Sequence, residues 1–157
     1  MDDNLKALSV HVSAALPEAV LSCDIRHSEL TCRIKREAVL EMLRFLRDDP
    51  KCRFSVLCDI CGVDYPDRPQ RFDVVYNLLS LTHNQRIRLT LETDEEQPVA
   101  SATALYSSAG WWEREAWDLY GIYFSDNPDL CKGRFQRTDA GGYPLRLHAY
   151  RFREWAE

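Results

Sequence analysis

Hydrophobic positions change period several times along the chain, and each period predicts an element. Leu5, Leu8, Val12 and Leu16 recur at helical spacing after Asp2, Asp3 and Asn4, which offer N-caps, so the chain opens on a helix ending at Pro17. Two extended runs follow, 19–25 and 29–35, with Arg26-His27-Ser28 as the hairpin turn between them. Val39, Leu40, Leu43 and Leu46 then fall on one helical face, predicting an amphipathic helix over 36–47 closed by Asp48-Asp49-Pro50. The apolar run 54–61 reads as a buried strand and leads into a polar, Pro-rich loop, 64–70. Residues 71–81 and 85–94 form the clearest pair. In the second run Ile87, Leu89, Leu91 and Thr93 alternate with Arg86, Arg88, Thr90 and Glu92, a period of two that predicts a strand covered on one face. His83-Asn84 is the tight connection, since Asn tolerates left-handed turn geometry. After a break at 95–98, residues 101–106 predict a short helix.

The stretch 111–124, WWEREAWDLYGIYF, organises the rest. Residues 111–120 read as a helix stopped by Gly121 in the left-handed conformation. At about 100° per residue, Trp112, Ala116, Leu119 and Tyr120 share an apolar arc that Trp117 extends. Arg114, Glu115 and Asp118 lie opposite, and Trp111 stands among these charges. Glu113 projects between Tyr120 and Trp117, a position that implies burial against a partner such as Arg. Aromatics on both sides of one helix suggest burial against two bodies, this chain's own core and a partner. An aromatic-rich helix closing only its own core is the simpler alternative. Beyond residue 125, Gly133, Gly141, Gly142 and Pro144 punctuate a polar stretch without periodicity. The fold class is therefore α+β: two amphipathic helices, a mainly antiparallel sheet, then a C-terminal helix and an irregular tail. The division falls between an α+β domain at 1–125 and the tail at 126–157, with no internal repeat.

Composition narrows the function classes. At 157 residues the chain is long enough for a core without staples, and its net charge of −5 argues against a dedicated nucleic-acid binder. An RNA-binding module that stacks bases on aromatics is disfavoured for the same reason. No apolar run approaches the roughly 20 residues needed to cross a bilayer, and the amino terminus lacks a signal-peptide pattern. A reducing compartment is expected, so the six cysteines (23, 32, 52, 58, 61 and 131) read as free thiols rather than a disulfide framework. Of the 20 basic residues 16 are Arg, a bias that suits interfaces.

Candidate catalytic chemistry is sparse. Cys58-Asp-Ile-Cys61 has no second Cys pair to complete a zinc ribbon, and it lies in a strand run rather than at a helix start. Core cysteines are the expected reading; a stand-alone thiol-redox or zinc protein using Cys58 and Cys61 is the rival. The histidines at 11, 27, 83 and 148 show no i, i+4 pairing and no recurring Cys partner, so no metal site is expected. No nucleophile elbow, phosphate loop or dinucleotide fingerprint is present. Glu113 and Glu115 diverge by roughly 160° around a helix and cannot share one acid–base site.

Glu113-Arg-Glu115, Asp118-Leu-Tyr-Gly-Ile122 and Phe124, followed by Pro128-Asp-Leu130, resemble the signature of the complex I 30-kDa subunit family of NADH-quinone oxidoreductase. Asp59-Ile-Cys-Gly-Val-Asp-Tyr-Pro66, Arg71-Phe-Asp-Val-Val-Tyr76, Leu78-Leu-Ser-Leu81 and His83-Asn-Gln-Arg-Ile-Arg88 resemble further family blocks in family order. The resemblance covers most of residues 30–130. It implies a non-catalytic, structural subunit of the hydrophilic arm, supporting the quinone-proximal module in NADH-to-quinone electron transfer coupled to proton translocation. The implied partners are other hydrophilic-arm subunits, chiefly the large quinone-site subunit, with membrane contact only through the complex. The implied location is the cytoplasmic side of the bacterial inner membrane, or the matrix side in mitochondria. NADH, FMN, iron–sulfur clusters and quinone would belong to the assembly, none bound by this chain. The equivalent subunit of a complex I-like hydrogenase or plastid-type dehydrogenase is the related alternative. On this reading Trp111, Trp112, Glu113, Arg114, Glu115, Trp117, Asp118 and Tyr120 form or brace the partner interface. Residues 131–137 depart from the family pattern, while Gly142-Tyr-Pro-Leu-Arg146 keeps part of a later block, with Tyr143 where His is usual. The expectation is a divergent or truncated tail.

Overall fold

In the computed structural model, which describes residues 2–130, the chain runs α1 (Asp2–Ala15), β1 (Val20–Arg26), β2 (Glu29–Ile34), a 3-10 turn (Arg36–Ala38), α2 (Val39–Asp48), β3 (Val56–Asp64), β4 (Phe72–Ser80), β5 (Gln85–Thr93), β6 (Val99–Ala100), α3 (Ala109–Tyr120) and β7 (Phe124–Ser125). The expected α+β class holds. Five strands form one sheet in the order β1-β2-β5-β4-β3, and β6 and β7 form a separate short parallel pair. Every neighbour in the main sheet is antiparallel except β2 and β5, which pair in parallel. That exception follows from the connection. The chain leaves β2 through α2 to the far edge at β3, and the two hairpin steps through β4 return β5 alongside β2.

Register decides which side chains meet. Ile60 opposes Tyr76, Tyr76 opposes Leu89, and Leu89 opposes Cys32 across four strands, and all are buried. Leu5, Leu8 and Val12 of α1, Met42, Leu43 and Leu46 of α2, and Ala109 and Ala116 of α3 join this same cluster, so the helices cover that face of the sheet. The opposite face is polar across β2 and β5 and mixed across β3 and β4. Arg33 pairs with Glu92 at 3.0 Å and Arg88 with Glu29 at 3.0 Å, which accounts for the clean alternation of β5.

Several local expectations are corrected. His27 and Ser28 both have positive φ and Arg26 pairs with Glu29, so the first hairpin turns on two residues rather than three. This register sets Cys23 directly opposite Cys32, and the two form a disulfide instead of remaining free. Residues 101–106 are a turn rather than a helix. The N–H groups of Leu105 and Tyr106 both donate to Ala102 O (2.9 Å), closing a single turn, while the N–H of Ser101 donates to Ser125 O (2.9 Å) and extends the β6–β7 pairing. Neither Cys58 nor Cys61 is a core cysteine. Leu57 pairs with Leu78 but Asp59 with Asn77, which makes Cys58 the extra residue of a bulge. Cys58 is exposed there and Cys61 half-buried. The β4–β5 hairpin turns through 81–84, with Asn84 at φ 49° as its sequence position suggests. Cys131 and most of the expected tail lie outside the described residues.

Candidate functional site

Helix α3 begins two residues before its expected start and ends as expected. Gly121 has φ 76°, and its N–H donates to Trp117 O at 2.9 Å. The inward stripe is Ala109, Glu113 and Ala116, each buried, with Tyr120 following at the next turn. Alanines on this stripe let the helix approach β3 closely. At the point of contact stands Gly62, where a Cβ would lie 2.7 Å from the ring of Tyr120. Tyr120 also meets Phe72 edge-on, with centroids 6.2 Å apart.

Glu113 is fully buried, and its partners are neutral rather than the Arg expected. Its carboxylate accepts from Ala102 N–H (2.6 Å), Ser101 Oγ (2.7 Å) and Asn127 Nδ2 (2.7 Å). One side chain thus ties α3 to the segment before it and to the loop after it. Burial raises the pKa of Glu113 in spite of these three donors. Nearby, the buried hydroxyl of Tyr76 has no hydrogen-bond partner among the described residues, and the Glu113 charge adds to burial in raising its pKa. A group so enclosed is a brace and offers no surface to a substrate.

The outward side is aromatic and charged. Trp111 is 73% exposed, with the guanidinium of Arg114 over its ring at 4.7 Å. Arg114 in turn pairs with Asp129, just past the helix. Trp117 is half-buried and meets Tyr123 edge-on at 5.8 Å. Glu115 is exposed, while Trp112 and Asp118 are half-buried. The eight residues singled out by sequence therefore divide: Glu113 braces the fold and Tyr120 packs on it, whereas Trp111 and Glu115 are exposed and the side chain of Arg114 is only 14% exposed.

Elsewhere, the described side chains that could hold a metal ion together are His11, Asp49 and Cys52, a group no sequence spacing suggests. Cys58 and Cys61 are not in it. The Cys61 thiol is pushed up by burial and by the neighbouring Asp59, the opposite of what a redox nucleophile needs.

Residues 32–151 match the family described as "Respiratory-chain NADH dehydrogenase, 30 Kd subunit". The chain belongs to this family. Among 30-Kd-family relatives, the corresponding NADH-quinone oxidoreductase subunit of Parvibaculum lavamentivorans is 51% identical over 148 residues, covering 93% of this chain and 72% of the relative. That of Xanthobacter autotrophicus is 52% identical over 148 residues, covering 93% and 69%. A chain in the structure of the membrane-bound sulfane sulfur reductase, an archaeal respiratory membrane complex, has the same fold. Its TM-score is 0.72 at 19% identity, covering 97% of this chain and 91% of that one. The helix carrying the 30-Kd-family resemblance in the sequence is thus the one whose inner side closes the core and whose outer side presents Trp111.

Proposed function

We propose that this chain is a structural, non-catalytic subunit of the hydrophilic arm of a proton-translocating NADH-quinone oxidoreductase. The observation that carries this reading is half-identity, across 93% of the chain, to proteins named as a subunit of that enzyme. In this role it sits beside the large quinone-site subunit and supports the quinone-proximal module, binding no flavin, iron–sulfur cluster, NADH or quinone itself. The outward side of α3 is the docking element. Trp111 and Arg114 supply the kind of residue enriched at interface centres, and Arg114 is already held in place by Asp129. No described helix is long and apolar enough to cross a membrane. On the proposed reading the chain takes a peripheral place on the cytoplasmic side of the bacterial membrane, reaching the bilayer through its partners.

The test is a tagged pull-down from gently solubilised membranes. Co-recovery of NADH-oxidising, iron–sulfur-containing subunits supports the proposal; recovery of the chain alone under conditions that preserve the assembly overturns it.

A further inference from the structure

His11 comes from α1, Asp49 follows directly on α2, and Cys52 lies three residues further on. Their nitrogen, oxygen and sulfur ligand atoms all fall within 4.8 Å of one another. His11 Nε2 is 3.1 Å from Asp49 Oδ1, and the imidazole is set by its packing on the Phe45 ring, centroids 5.6 Å apart. The loop is equally fixed. Asp49 N–H donates to Phe45 O (2.9 Å), the N–H groups of Cys52 and Arg53 both donate to Asp49 O (3.0 Å), and Lys51 N–H donates to Asp49 Oδ1 (2.9 Å). Cys52 is fully buried beneath, while the side chains of His11 and Asp49 are 27% and 21% exposed.

We propose that His11, Asp49 and Cys52 form a binding site for a zinc-class divalent cation. Zinc bonds of about 2.0–2.3 Å to N, O and S place neighbouring tetrahedral ligands roughly 3.3–3.7 Å apart, so the cluster needs only a small closure. An imidazole and a thiolate select a borderline-soft transition metal over magnesium or calcium, which take oxygen ligands. The three side chains leave the fourth position on the solvent side, where a water completes the tetrahedron. On binding, the Cys52 S–H bond breaks, its proton goes to solvent, and the sulfur–metal bond forms; no electron is transferred. The ion would pin α1 to the connection between α2 and β3, joining residues 38 apart in sequence.

The purified full-length chain, reduced with a phosphine, is titrated with Co²⁺ alone and then with Zn²⁺. A thiolate-to-cobalt charge-transfer band that saturates at one ion per chain and is displaced by Zn²⁺ is expected. Cys52→Ser abolishes the band. His11→Gln, at a part-exposed position that leaves the core packing in place, weakens cobalt binding by more than the roughly 10–100-fold lost when only a supporting contact is removed. The double variant Cys58→Ser/Cys61→Ser keeps the band. Absence of a thiolate band in the wild-type chain, its persistence in Cys52→Ser, its loss in the Cys58/Cys61 variant, or unchanged affinity in His11→Gln overturns the proposal.

Discussion

Replacing Glu113 separates its role as a brace from any role at the surface. Glu113→Ala deletes the acceptor of three hydrogen bonds at a fully buried position. Ser101 Oγ keeps its contact to Thr103 Oγ1 at 2.8 Å, and Asn127 is part-exposed. The group left without a partner is chiefly the Ala102 N–H. Orphaning a buried N–H costs about 1–3 kcal/mol, and the vacated space adds a cavity penalty, partly offset because no carboxylate is any longer buried. The sum is about 3 kcal/mol, or roughly 6–12 °C in Tm for a chain of this size. Glu113→Gln keeps the shape and an acceptor for Ala102 and costs about 1 kcal/mol, one hydrogen bond's worth. The pH dependence has a definite sign. Burial raises the folded pKa above the ordinary value of 4.5, so the fold favours the protonated acid. That contribution is fully present below the unfolded pKa and is lost as pH rises through the folded one. Wild type therefore gains on Glu113→Gln as the pH falls from neutral towards 4.5. Urea unfolding of the three proteins, followed by circular dichroism across this range, measures both effects. A loss under about 1 kcal/mol in Glu113→Ala would show that this carboxylate does not brace the fold. A wild-type advantage that shrinks on acidification would reverse the assigned direction of its pKa.

Gly62→Ala should destabilise by about 1–3 kcal/mol, because the new Cβ meets the Tyr120 ring at 2.7 Å; a neutral result in the same unfolding assay would mean that α3 does not rest on β3. Tyr76→Phe removes a buried hydroxyl with no partner among the described residues, so stability should hold within about 1 kcal/mol or rise. A larger loss would reveal a partner for that hydroxyl. Trp111→Ala, at a site 73% exposed, should change the stability of the isolated chain by under about 0.5 kcal/mol while reducing recovery of the assembly in the pull-down. Intact recovery would remove Trp111 from the proposed docking face.

Periodicity carried the local elements well. The helical spacing through Leu43 and Leu46 and the alternation of Ile87, Leu89 and Leu91 both appear as α2 and β5 with those residues buried. What escaped was set by single-residue offsets or by distant chain segments. A three-residue turn at 26–28 would leave Cys23 out of register with Cys32, whereas the two-residue turn places them face to face. The bulge at Cys58 shifts β3 by one residue, so Leu57 and Ile60 both point to the core. Helical geometry placed Glu113 inward, but its partners sit 11, 12 and 14 residues away in irregular segments without a periodic signal. The approach of His11 to Asp49 spans 38 residues and depends on how α1 lies beside α2. The surplus aromatics of α3 were recognisable on a helix that already had an apolar arc; which of them face outward required the structure.

The proposed docking through α3 is tested directly by placing a photo-reactive phenylalanine analogue at position 111 and irradiating the membranes before solubilisation. The expected product is an adduct between this chain and another subunit of the NADH-oxidising assembly, absent when the probe stands at Leu81, which is 68% exposed on the turn between β4 and β5. An assembly that forms normally and yields no adduct from position 111 would rule out docking through this helix.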